Sequence, residues 1–182
     1  MNTTENPWST LSIREIYENP WIRITEADII NPKGGKGIYG VVHFKNKAIG
    51  VVPVDENGYT YLVGQYRYTL NEYSWEIPEG GGPMHEDPIH TAARELKEET
   101  GLTAQKYELI CRIHTSNSVT DEEGFIFLAT GLSRGESQPE ETEELQIKKI
   151  LLAEAVQMVM NNEITDSLSI AGLLKAARIL KI

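Results

Sequence analysis

Glu95, Glu98 and Glu99 crowd into the run Arg94-Glu95-Leu96-Lys97-Glu98-Glu99-Thr100. On a helix, residues three and four apart share a face, so these carboxylates would repel one another at a cost of about 0.2–0.5 kcal/mol per pair. A cation is the natural remedy. Hard divalent ions such as Mg²⁺ or Mn²⁺ take oxygen ligands, and a helix fixes the spacing of two or three of them. A solvated acidic face is the ordinary alternative for a charge run taken alone.

The flanks supply the helix. Asp87 is an N-cap residue, Pro88 occupies the first helical position, where its missing N–H costs nothing, and Gly101 is a left-handed stop. The predicted helix runs over Pro88–Thr100. Its 3.6-residue period puts Ile89, Ala92, Ala93 and Leu96 on one stripe, expected to be buried, and Glu95, Glu98 and Glu99 on another, expected to face out.

Over residues 80–102 the pattern is Gly80, Glu86, then Arg94-Glu95-Leu96-Lys97-Glu98-Glu99-Thr100-Gly101-Leu102. At every defining position this resembles the Nudix hydrolase box. The resemblance implies cleavage of a pyrophosphate bond with Mg²⁺ (Mn²⁺ as the alternative). It makes Glu95 and Glu99 metal ligands, Glu98 a further ligand or auxiliary base, and a backbone carbonyl at Glu79 or Gly80 part of the metal shell. It also pairs Glu86 with Arg94 as a structural ion pair.

Outside the box, Gln65-Tyr66-Arg67 and Trp75-Glu76-Ile77-Pro78-Glu79-Gly80 look like segments of ADP-ribose and nucleoside-diphosphate-sugar pyrophosphatases. By that resemblance Arg67 clamps a phosphate, for which its planar fork suits it. Glu76 lies near the substrate or a second metal. The stretch Ser116-Asn117-Ser118-Val119-Thr120-Asp121-Glu122 puts a glutamate at the subgroup's spacing, with Asn117 and Ser118 in place of its Pro and Gly. Glu122 is therefore the candidate general base, with Asp121 and Glu123 as alternatives. The implied substrate is a nucleoside diphosphate sugar, ADP-ribose first. Triphosphates, dinucleoside polyphosphates, capped RNA or ligand sensing without hydrolysis are the rival readings.

These residues need a scaffold. A chain of 182 residues supports one domain, or one with a small appendage. Its net charge of −10 argues against a general nucleic-acid binder, whose affinity comes from neutralising phosphates. The single cysteine, Cys111, makes no internal disulfide, and its apolar neighbours mark a strand thiol. No stretch approaches a membrane span, the first residues lack signal-peptide character, and a cytoplasmic location is expected. His43, His85, His90 and His114 show no zinc-ligand spacing.

Residues 1–12 read as poorly ordered. Strand signals cover 21–30 and 37–44, an antiparallel hairpin, and 48–54 with 60–66, joined across Asp55-Glu56-Asn57-Gly58 as a second hairpin. Further strands are expected at 107–115, 124–130 and 145–151, an acidic surface loop at 136–144, and helices over 153–161 and 167–180, the last capped by Thr165 or Asp166. This is an α+β layout, which the resemblance sharpens to an α/β/α sandwich with a mixed β-sheet and an N-terminal antiparallel β extension. The expected division is 1–45, the extension, and 46–182, the hydrolase domain. By analogy the extension dimerises the protein and builds a base pocket, with Trp21 or Tyr39 as stacking residues or, more simply, core aromatics.

Overall fold

The computed structural model describes residues 5–135 and 145–182, so the acidic stretch 136–144 lies outside them. The chain divides into two compact units, one made of residues up to Asn46 with His114–Glu122, the other of Lys47–Ile113 with Glu123–Ile182.

In the first unit, β1 (Ser9–Glu18), β2 (Ile22–Ile30) and β3 (Lys36–Phe44) form an antiparallel sheet in that order. Side-chain turns connect them. The Asn19 carboxamide accepts from the amides of Trp21 and Ile22, and that of Asn31 from Lys33 and Gly35. The β2–β3 hairpin is the one expected, whereas β1 starts where disorder was expected. Its register with β2 shifts between Thr10 and Ser12 and again between Glu15 and Tyr17. Such irregularities break the period-two alternation from which a strand is read. The segment His114–Glu122 joins this unit: the Val42 amide donates to the Val119 carbonyl at 2.9 Å, the Tyr39 hydroxyl to the Ser118 carbonyl at 2.6 Å, and the Phe44 amide to Asp121 Oδ1 at 3.0 Å.

The second unit holds β4 (Asn46–Pro53), β5 (Tyr59–Arg67), β6 (Glu72–Glu76), β7 (Glu79–Pro83), α1 (Pro88–Thr100), β8 (Leu102–His114), β9 (Glu123–Arg134), β10 (Gln146–Leu151), α2 (Leu152–Met160) and α3 (Ser167–Leu180). They make a four-stranded sheet in the order β7-β4-β9-β8, with β4 parallel to β9, and a three-stranded sheet in the order β10-β5-β6.

The second expected hairpin is corrected here. The turn at Asp55–Gly58 forms, with Gly58 at φ 79°, but β4 and β5 share only an isolated bridge between Val54 and Thr60 and then enter different sheets. Tight-turn chemistry fixes the reversal without fixing the partner strand. The clue is the apolar run of β4 and the residue after it, where Ile49, Val51, Val52 and then Val54 are all buried, as in a strand covered on both faces.

Alternate residues of β4 and β9 serve opposite layers. Ile49, Val51, Phe127 and Ala129 cluster with Ala92 and Leu96 of α1. Val52, Val54, Ile126 and Leu128 cluster with Leu152 and Ala155 of α2 and with Leu168, Leu173 and Ala176 of α3. The sheet is thus sandwiched between α1 on one side and the α2–α3 pair on the other, the expected α/β/α arrangement. Each fully buried Ile, Leu or Val contributes about 2 kcal/mol.

Candidate active site

Helix α1 has the bounds and caps its sequence predicts. Asp87 accepts from the Ile89 amide at 3.1 Å, Pro88 opens the helix, and Gly101 closes it at φ 69°. Its acidic stripe, however, does not face out. Glu95 and Glu99 retain only 8% and 3% of their accessible surface. They turn toward the segment before the helix: Glu99 Oε2 accepts from the Glu79 amide at 2.9 Å, and a Cβ at position 80 would meet Glu95 Oε1 at 2.1 Å. A side chain at position 80 would therefore displace the Glu95 carboxylate from where it lies.

Arg94 organises the exposed edge. Its guanidinium reaches Glu95 Oε1 and Glu98 Oε2, each at 2.7 Å, and donates to the Gly81 carbonyl at 3.1 Å. Burial works against its charge, but Glu95 and Glu98 outweigh that and hold it in the charged form. The expected Glu86–Arg94 pair is absent among the described residues, because nearer partners on the helix and at Gly81 engage the guanidinium. The Glu86 carbonyl instead accepts from Lys47 Nζ at 2.7 Å.

Arg67, Glu76 and Glu79 come together beside this face. Arg67 Nε lies 2.9 and 3.1 Å from the two Glu76 oxygens, Nη2 closes a second bond to Glu76 Oε2, and Nη2 also reaches Glu79 Oε1 at 3.1 Å. The Glu76 side chain is almost fully buried, with 3% of its surface left. The hydrogen bonds that Arg67 donates to Glu76 foremost raise its pKa, so its charge is fixed at any working pH.

Glu79 is the member whose negative charge its surroundings oppose. Burial first, then Asp166 and Glu76, push its carboxyl well above the usual carboxylate range, against the pull of Arg67. Its Oε2 is buried without a conventional donor, and a neutral Glu79 would place its proton toward Asp166. Asp166 was legible only as a helix cap, a role it does fill by accepting from the Ser169 amide at 2.7 Å. Its proximity to Glu79 depends on a tertiary approach that carries no local signal.

These donors fit a hard divalent cation. They are all oxygens, a buried carboxylate oxygen of Glu79 lacks a donor, and glycine leaves room for Glu95 at the helix. Among the described residues no set of three His, Cys, Asp or Glu side chains is closed around one point. The carboxylates are instead distributed over Arg94, Arg67 and the Glu79 amide. The histidines form no such group either; His43 Nδ1 lies 2.5 Å from Asp121 Oδ2, and Nε2 lies 2.9 Å from the Thr25 hydroxyl.

Glu122, the predicted base, lies in the first unit, where its carboxylate accepts from the Thr115 hydroxyl. Glu123 is ion-paired with Arg112, and Asp121 Oδ2 lies within hydrogen-bond distance of His43 Nδ1. The Glu122 carboxylate makes no ion pair among the described residues. The N-terminal sheet also carries a cavity of about 500 Å³ whose lining includes Trp8, Ile13, Arg23, Tyr39, Val41 and His43. Tyr39 packs edge-on against Trp8 with centroids 5.6 Å apart, while Trp21 is exposed. Cys111 is half-buried against the core of the second unit.

A carboxylate-bearing helix laid against one face of such a sheet, with a glycine-spaced segment leading into it, defines a Nudix domain. Residues 44–167 match the NUDIX domain model and residues 8–42 the nucleoside diphosphate sugar hydrolase N-terminal domain, and the chain belongs to the Nudix family. It is 34% identical over 175 residues to the ADP-ribose pyrophosphatase of Mycobacterium tuberculosis, covering 93% of this chain and 83% of that protein. It is 32% identical over 160 residues to the ADP-ribose pyrophosphatase of Bacillus subtilis, covering 87% and 86%. Among solved structures, the crystal structure of ADP compounds hydrolase superposes with a TM-score of 0.87 over 98% of this chain and 97% of that one, at 18% identity, a likeness of fold. No helix among the described residues is long and apolar enough to cross a membrane.

Proposed function

We propose that the protein hydrolyses the pyrophosphate bond of nucleoside diphosphate sugars, ADP-ribose foremost, giving AMP and ribose 5-phosphate. The observation that carries this reading is the burial of Glu95 and Glu99 against Glu79 and Gly80, because a solvated acidic face would leave those carboxylates in water. The match of residues 8–42 to a sugar-nucleotide hydrolase segment and the similarity to two ADP-ribose pyrophosphatases support the substrate.

Glu95, Glu98 and Glu99, with Glu79, would hold the divalent cation, Mg²⁺ in preference to Mn²⁺. The chemistry such a cation supplies is charge neutralisation at the pyrophosphate and acidification of water. Arg67 and Glu76 orient substrate. With Nε and Nη2 committed to Glu76 and Glu79, Nη1 is the guanidinium nitrogen left to meet a phosphate oxygen. Glu122 removes the proton from the attacking water, and Glu98 assists.

Residues 1–45 form the extension that carries the base pocket and the twofold contact of a homodimer, and 46–182 the hydrolase. The cavity beside Trp8 and Tyr39 and the exposure of Ile13, Ile16, Tyr17 and Trp21 support that division. The location is cytoplasmic, in keeping with an unpaired cysteine. The test is turnover of ADP-ribose, other NDP-sugars, dinucleoside polyphosphates and triphosphates with Mg²⁺ or Mn²⁺, alongside light scattering. Release of AMP from ADP-ribose at the highest kcat/KM is expected; binding without release, or preference for triphosphates, overturns the reading.

A further inference from the structure

The segment Glu76-Ile77-Pro78-Glu79 connects the two halves of the site, since it carries the Arg67-binding carboxylate at one end and the helix-facing amide at the other. Its backbone is held in the β5 ladder at Glu76, paired with Val63, and by three further bonds. The Glu79 amide donates to Glu99, the Pro78 carbonyl accepts from the Val51 amide at 2.8 Å, and the Ile77 amide donates to Ser169 Oγ at 2.9 Å. The first two tethers come from the site helix and the central sheet. The third comes from α3, across a sequence separation of 92 residues.

Ser169 is fully buried, and so is Ile77. The Ile77 side chain fills a slot opened by two missing Cβ atoms: one at Gly50 would stand 2.8 Å from Ile77 Cδ1, and one at Gly172 would stand 3.4 Å from it. Gly172 lies on α3 beside Ser169, so one helix supplies both the hydroxyl for the amide and the space for the side chain. Asp166 accepts from the Ser169 amide and thereby fixes the first turn of α3, from which the hydroxyl is presented. A buried amide without its acceptor shifts toward one or pulls in water, and Glu76 and Glu79 would move with it.

We infer that Ser169 is a positioning residue for the hydrolase site, its hydroxyl holding the Ile77 amide so that Glu76 and the Glu79 backbone stay in register with Arg67 and with the carboxylates of α1. The inference rests on the site proposed above, but not on the identity of the sugar nucleotide.

The experiment compares wild type with Ser169→Ala and Ser169→Thr in three measurements. These are steady-state kinetics with ADP-ribose and Mg²⁺ well below the melting temperature, Mn²⁺ binding to the enzyme alone by electron paramagnetic resonance, and hydrogen exchange at the Ile77 amide. For Ser169→Ala the expected result is kcat lowered about tenfold with KM changed less than about twofold, since small misplacements of a site are costly. Mn²⁺ binding should weaken several-fold, and Ile77 exchange should accelerate beyond any change at core amides such as Val52. Ser169→Thr restores these where the added methyl is accommodated; where it is not, the alanine variant decides. A lower melting temperature with kcat, Mn²⁺ binding and Ile77 exchange otherwise at wild-type levels overturns the inference. If wild type does not cleave ADP-ribose, the substrate reading fails, while Mn²⁺ binding and Ile77 exchange still judge Ser169.

Discussion

Gly80 and Glu95 stand so close that any side chain at position 80 would collide with the carboxylate, a Cβ lying 2.1 Å from Oε1 and 2.6 Å from Oε2. Glycine here leaves the Glu95 carboxylate room to lie against the segment before the helix. Gly80→Ala is expected to displace Glu95 and lower kcat/KM for ADP-ribose by about 100-fold, the scale of a misplacement near 1 Å. The folded state should survive, as judged by circular dichroism. Turnover within a few-fold of wild type would show that Glu95 need not lie against Gly80.

Glu99→Gln keeps the size of the side chain and an oxygen able to accept from the Glu79 amide, and removes the charge. A drop in kcat of about 10²–10³-fold is expected, with weaker Mg²⁺ dependence, because an anionic oxygen ligand is lost. A Mg²⁺ titration of initial rates checks this. An unchanged Mg²⁺ requirement would remove Glu99 from the metal set.

Arg67→Lys preserves the positive charge but cannot hold both Glu76 oxygens and Glu79 with one fork. The expected loss in kcat/KM is about 10–100-fold, larger than a purely charge-based role would give. If lysine restores most of the activity that Arg67→Ala removes, the paired geometry is dispensable and only the charge counts.

Glu122→Gln tests the base directly. A fall in kcat of about 100-fold is expected, with KM little changed and the acidic limb of the pH–rate profile altered, the range typical of a general base. Near-wild-type turnover would transfer the role to another group.

Asp55 provides a pH test remote from the chemistry. Burial pushes its carboxyl up, but Lys149 and the amides of Tyr59 and Asn57 outweigh this and hold it below the ordinary 3.8. A depressed folded-state value contributes stability that is complete above the unfolded value and fades as pH falls through the lower, folded one. Asp55→Asn should therefore melt about 3 °C lower than wild type at neutral pH. The gap should close below pH 3.8. A gap independent of pH would assign the effect to packing in the turn.

What was legible in the sequence followed from local chemistry. Asp87, Pro88 and Gly101 are read from their neighbours alone, and the bounds of α1 and α3 follow from caps and the 3.6 period. What was illegible depended on distant partners. Asn57-Gly58 specifies a reversal, yet the sheet to which each flanking strand belongs is decided by β9 and β10, many residues later. The inward turn of Glu95 and Glu99 likewise needs Gly80 to lie against α1. Hydrophobic patterning placed those glutamates in water because it assigns carboxylates no reason to be buried. Ser169 falls within the expected helix 167–180 without any signal of its own, since one hydroxyl in an amphipathic helix does not announce which amide it serves.

The Ile77–Ser169 bond also bears on the order in which the molecule is made. A chain still on the ribosome has every carboxylate of α1 long before α3 emerges, and a domain folds as a unit. The segment leading into α1 thus waits, during synthesis, for a tether supplied by the last helix. On the inference drawn for Ser169, the register of Glu76 and the Glu79 backbone with Arg67 and α1 is complete only once that helix has docked.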